Sequence, residues 1–161
     1  MIAYDKIRPV VADGLAEYLG CPVIRGNQSA ASPKYPYCAY NITTLAGANG
    51  GTYQQDSDGI DRLMVRSIWS FSFMSSDYDE SVMLAIKARG WFERTGRGWL
   101  SERGVVVQST TDITNRDNVL TVEYERKNGF DVVFYLYDEV QSLIETNGYI
   151  VSAEIVHEKT N

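Results

Sequence analysis

From Phe130 to Tyr137 the chain alternates without a break. Phe130, Val132, Phe134 and Leu136 fall on one side of an extended strand, and Asp131, Val133, Tyr135 and Tyr137 on the other. Aromatic and β-branched residues dominate the run, as a half-buried pleated surface prefers. Asn128-Gly129 just ahead is a turn signal, because both residues adopt positive φ at little cost. A shorter alternation of Leu120, Val122 and Tyr124 precedes it, so the two runs join either as a hairpin or as one long strand bulged at Gly129. Residues 63–75 alternate as strongly: Leu63, Val65, Trp69, Phe71 and Phe73 share one parity, with Ser70 and Ser72 opposite. These two segments predict that Phe130, Phe134, Phe71 and Trp69 pack together in the core.

Weaker strand signals lie at Val23-Ile24, over residues 37–45 with apolar positions on both faces, at the continuous run Val105-Val106-Val107, and over residues 149–156. Helical spacing of Ile7, Val11, Leu15 and Tyr18 predicts a helix over residues 4–19, stopped by Gly20 and Pro22. Pro9 fits if regular helix begins near Arg8 or if the first turn is kinked. Asp77-Tyr78-Asp79-Glu80 reads as a capping box opening a second helix that runs to about Arg94. Val82, Ile86 and Arg89 fall on one stripe of it, with Ala85, Ala88 and Phe92 beside them, and Gly90 weakens its second half. Residues 95–98 read as a turn, and residues 138–145 as a short helix or a loop. Residues 46–59 are glycine-rich and polar with no periodicity, so 46–61 is expected to be a mobile loop, a finger projecting from a hairpin. The whole chain, 1–161, then forms one α+β domain: an antiparallel or mixed sheet with two α-helices packed on one face.

Charge narrows the partners. A formal net charge of −6 argues against gripping nucleic acid through a basic patch. The densest basic group, Arg89, Arg94, Arg97 and Arg103, is interrupted by Glu93 and Glu102. Eleven tyrosines suit protein interfaces and strands alike, so their number does not choose between the two. Cys21 and Cys38 form no CxxC pair, and without a signal peptide they are expected to be reduced thiols of a cytoplasmic protein. No apolar run approaches the length of a membrane span.

The candidate chemistry is sparse. His157, the single histidine, sits near the end of the sequence, where nothing suggests the third group that a catalytic base needs to orient it. Asp56-Ser57-Asp58-Gly59-Ile60-Asp61 hints at a calcium loop, but the glycine is misplaced and Ser67 stands where a bidentate glutamate belongs. Gly47-Ala48-Asn49-Gly50-Gly51 lacks the Gly-Lys-Ser/Thr that cradles phosphates. Glu123 and Glu125 would share one exposed strand face, which gives no reason for their acidities to diverge. The expectation is a protein that is not an enzyme and has no cofactor or metal. Arg116 and Arg126 remain, able to pair with carboxylates of a neighbouring subunit or to brace their own strands. With Tyr124, Tyr135 and Tyr53 they form the candidate subunit interface.

A resemblance gives these residues a setting. Tyr124-Glu125-Arg126-x-x-Gly129-Phe130-Asp131, preceded by Asn115-Arg116, resembles the C-terminal signature of neck or tail terminator proteins of tailed bacteriophages. Tyr35-Pro36-Tyr37-x-x-Tyr40, Phe71-x-Phe73 and Arg89-x-Trp91-Phe92 extend the likeness upstream in the same order. Lys127, where a second arginine is expected, and Cys38, inside the first long strand, depart from it mildly. The resemblance implies two helices packed on a sheet, and a structural virion protein forming a ring, most often a hexamer. Such a ring caps the tail tube, ends tail growth and joins the tail to the head connector. The implied partners are other copies of the chain, the tail tube protein and the head–tail connector or stopper protein. Genome DNA would pass through the channel without specific binding, and no membrane is involved. The implied location is the neck and tail of the virion, and the host cytoplasm during assembly. The alternatives are another head–tail completion protein or, from a different class, a small ligand-binding or hydrolase domain.

Overall fold

The alternating segments become the strands they predict. The computed structural model describes residues 1–117 and 125–141. Within them the order is α1 (Tyr4–Leu19), β1 (Val23–Arg25), β2 (Tyr37–Gly47), β3 (Gln54–Gln55), β4 (Ile60–Ser75), α2 (Tyr78–Glu93), α3 (Thr95–Ser101), β5 (Val106–Thr110), β6 (Thr114–Asn115) and β7 (Arg126–Gln141). The sheet runs β1-β2-β4-β7-β5, with β3 on β4 and β6 on β7. Every pairing is antiparallel except the parallel edge pair β1–β2, so the sheet is mixed and the fold is α+β.

β4 and β7 are its spine, paired without a register break from Ile60 opposite Gln141 to Ser75 opposite Arg126. That continuity decides the question at Asn128-Gly129. Both residues lie inside β7, opposite Phe73 and Ser72, and form neither a turn nor a bulge. β7 also continues through Asp138 to Gln141, where a short helix or loop was expected. The alternation Leu120, Val122 and Tyr124, the strand expected over 149–156, Glu123 and His157 lie outside the described residues.

The predicted aromatic core is present. Trp69, Phe71, Phe130 and Phe134 are fully buried, together with Phe92 of α2. Ring centroids stand 5.4 Å apart for Trp69–Phe134, 6.2 Å for Phe71–Phe130 and 5.0 Å for Phe71–Phe92. Ser67 shares the core parity of β4 and is also fully buried. Its oxygen accepts from Trp69 Nε1 (2.9 Å) while its hydroxyl donates to the Thr44 carbonyl (2.9 Å), so a polar residue sits in the apolar stripe fully satisfied.

The helices differ from expectation in three ways. α1 begins at Tyr4 in spite of Pro9, whose ring supplies no N–H to the turn before it; Arg8 Nε donates to the Tyr4 carbonyl there (3.1 Å). The buried face of α2 is Ser81, Leu84, Ala85, Ala88, Trp91 and Phe92, so the inner residues come from the stripe of Ala85, Ala88 and Phe92, and Ile86 on the other stripe is half exposed. The capping box is relayed: Asp77 accepts from the Asp79 amide (2.9 Å), and Glu80 reaches back to the Ser75 hydroxyl, which accepts from the Asp77 amide (3.0 Å). Third, residues 95–98 open a short helix, α3, so the described residues hold three helices. A side chain at Gly96 would collide with the Trp91 indole, so glycine is needed there for the close approach of α3 to α2. Val11 and Leu15 of α1, the buried residues of α2 and Leu100 of α3 join one core with the inward residues of β4 and β7. The helices thus share one face of the sheet.

Candidate functional site

The other sheet face carries the even-numbered residues of β4 and the odd-numbered residues of β7. Its middle presents Met64, Arg66, Ile68 and Ser70 beside Asp131, Val133, Tyr135 and Tyr137. Arg66 and Tyr137 are exposed, and Tyr135 and Ile68 are half-buried. No helix covers this face among the described residues. A mixed apolar, tyrosine-rich sheet surface of this kind suits contact with another protein.

Arg116 closes one end of it. Nη1 donates to Ser70 Oγ (2.6 Å) and the Phe71 carbonyl (3.3 Å), Nη2 to Asp131 Oδ1 (2.9 Å), and Nε to Thr114 Oγ1 (3.4 Å). The guanidinium lies across β4, β7 and β6 and is about three-quarters withdrawn from solvent, its side chain 24% exposed. All three of its nitrogens find partners within its own chain. Gly129 makes room for it: a Cβ there would collide with the Phe71 carbonyl and crowd Arg116 Nη1 at 3.1 Å.

Arg126 and Asp117 form the second pair, 3.3 Å apart, with the Arg126 side chain 38% exposed. Asp117 also accepts the Lys127 amide at 2.5 Å. That amide bond, then Arg126 and Asn115, hold the Asp117 carboxyl below the usual aspartate range against the opposing effect of burial. A carboxylate whose acidity is strengthened by folding stabilises the fold fully above its unfolded value, and that contribution is lost as pH falls through the lower folded value. Acidification below about pH 4 should therefore loosen the β6–β7 junction ahead of the core. Amide exchange at Lys127 checks it: protection should fall there before it falls at Phe134. Simultaneous loss at both positions would contradict the assignment.

The far end of the sheet holds a third cluster, around Arg62. Its guanidinium bonds Asp56 (2.8 Å), Asp58 (2.7 Å) and Glu139 (3.0 Å). The acidic loop that hinted at calcium thus closes on an arginine of its own chain. Among the described residues, no group of three or more His, Cys, Asp or Glu side chains is arranged to hold a metal. Tyr53 donates to Asp138 Oδ2 (2.7 Å), and the Met1 amino group stands 3.0 Å from Asp138 Oδ1. The segment read as structureless therefore contains β3, a turn in which the Gly59 amide donates to the Asp56 carbonyl (3.1 Å), and side-chain ties to β4 and β7.

Of the five candidate interface residues, Arg116 and Arg126 lie together near one end of the sheet, Tyr135 on the open face, and Tyr53 at the opposite end. Tyr124 lies outside the described residues. Sequence reasoning missed Arg62 and Tyr137. The first had a signal, as a lone arginine closing an acidic run. Both cysteines are free and buried, and burial pushes the Cys38 thiol well up.

A family model described as phage neck terminator protein matches residues 9–160. No curated protein matches the chain. No helix among the described residues is long and apolar enough to cross a membrane.

Proposed function

Because the chain belongs to the phage neck terminator family, structural proteins that complete the virion tail, we propose that copies of it close into a ring on the last ring of the tail tube. One rim of the ring meets the tube and stops its growth, and the other meets the head connector. The family match across nearly the whole chain carries this reading, and the tyrosine-bearing sheet face, which no helix covers among the described residues, supports it. The resemblance favours six subunits. Six copies at −6 each give a ring with a formal charge of −36, and acidic groups along a channel would let DNA slide without adhering.

In this reading Tyr135, with Tyr137 beside it, contributes to the subunit contact, and Arg126 at the rim pairs across it. Arg116, already saturated, acts as the brace that keeps the sheet flat enough to dock. Within 46–61, the stretch 48–59 between the end of β2 and the start of β4, carrying Tyr53, forms the assembly loop that engages a neighbour or the tube.

Two measurements test this. Sedimentation of the pure protein should show monomer, with larger species growing at high concentration, because a ring that closed freely would cap nothing. Stable rings at low concentration would argue against templated closure. Replacing residues 47–59 by a short linker should leave thermal stability nearly unchanged while abolishing tail completion in a complementation assay. A normal yield of virions from the shortened protein would remove the loop from the account.

A further inference from the structure

Among the described residues the outer side of β1 is an open sheet edge, and α1 runs beside it. The Gly26 amide donates to the Tyr40 carbonyl (2.7 Å) and the Cys38 amide to the Pro22 carbonyl (2.8 Å). The backbone groups of residues 22 and 26 therefore face β2, and by alternation those of Val23 and Arg25 face outward. Between this edge and α1 lie two adjoining hollows of about 560 and 550 Å³ that share Arg8, Arg25 and Gln28.

Two arginines among their polar groups are largely unspent. Arg8 uses Nε on the Tyr4 carbonyl and its side chain makes no further hydrogen bond among the described residues, and the Arg25 side chain makes no hydrogen bond or ion pair among them. Tyr40, only 5% exposed, lines one half of the groove, and its hydroxyl has no hydrogen-bond partner among the described residues. Asp5 and Asp13 stand along α1 in one half of the groove. The half nearer Leu45 has Arg8, Arg25 and three side-chain amides, from Asn27, Gln28 and Asn41, and no carboxylate. In a chain of net charge −6, a cationic, amide-lined hollow beside an unpaired strand edge is a specific feature.

We propose that this groove accepts an extended acidic segment of a partner protein as an added strand on β1. The partner's backbone pairs with Val23 and Arg25, and its carboxylate lies between Arg8 and Arg25 in the half that holds the side-chain amides. Backbone pairing gives affinity without sequence preference, and the arginine pair adds selection for the acidic side chain. The proposal does not depend on ring closure, since the groove is complete in one subunit.

The test titrates the ¹⁵N-labelled full chain with a capped pentapeptide, Val-Glu-Thr-Glu-Val, and with its glutamine counterpart. The Val23 and Arg25 amide signals should move and gain exchange protection. Affinity should fall by about tenfold for Arg25→Gln, the loss of one charge-assisted bond, and by more for the glutamine peptide, which gives up both. Arg25→Gln should keep the circular dichroism of the parent, because the Arg25 side chain makes no hydrogen bond or ion pair among the described residues. Absence of shifts at Val23 and Arg25, equal affinity for the two peptides, or the same shifts on concentrating the protein alone would overturn the proposal.

Discussion

Replacing Phe130 or Phe134 with alanine will lower the stability of the fold by about 3–5 kcal/mol. Both rings are fully buried at the centre of the aromatic cluster. Phe134 meets Trp69 edge-on at 5.4 Å and Phe92 at 5.8 Å, while Phe130 stands against Phe71, Phe73 and Phe92 at 6.2, 5.8 and 6.2 Å. Truncation removes the transfer free energy of the ring and leaves a hole that these neighbours, fixed on paired strands, close only in part. Denaturant midpoints report the loss, and an unchanged slope shows that the unfolded state is the same. If both substitutions left the midpoint nearly unmoved, the helices could not be covering this face.

Gly129→Ala will cost nearly as much, about 3 kcal/mol, at the top of the range for overpacking. The added methyl has no room against the Phe71 carbonyl and would crowd Arg116. Relief requires β7 to move away from β4 or Arg116 to leave Ser70 and Asp131, and leaving strands two half-buried hydroxyl and carboxylate partners. Arg116→Ala separates the two terms. If the methyl clashes mainly with the guanidinium, the pair of substitutions together should cost clearly less than the sum of each alone. Strict additivity would show that the Phe71 carbonyl is the whole obstacle.

Gly129 also shows why part of this fold was legible in the sequence and part was not. The strands around it could be read because one face is buried and one is not, which imposes a period of two on side-chain character. The glycine itself was read for the dihedral freedom it offers a turn. It is present for space, because the Phe71 carbonyl of the paired strand closes in on it and an arginine thirteen positions earlier crosses over it. No local rule sees that crossing, which exists only once β6 pairs with β7. Gly96 is a similar case. Propensity counts glycine against a helix by about 1 kcal/mol. Contact with Trp91 outweighs that cost and turns an apparent loop into α3. On α2, Val82 and Ile86 matched the helical period as well as the true inner face did, and only the position of Ser81 against Phe73 and Asn128 fixes the rotation. The candidate surface was legible in residue type, as tyrosines and arginines, but not in partner. Whether Arg116 reaches outward or inward is decided by Ser70 and Asp131, which lie in other strands.

In the function we propose, this chain ends tail growth and makes the tail competent to join a head. Electron microscopy of tails assembled in its absence tests that most directly. Such tails should be of abnormal length or remain unattached to heads, and supplying the intact protein should restore both properties. Tails of normal length that join heads normally without it would contradict the account, whatever mass the free protein shows in solution.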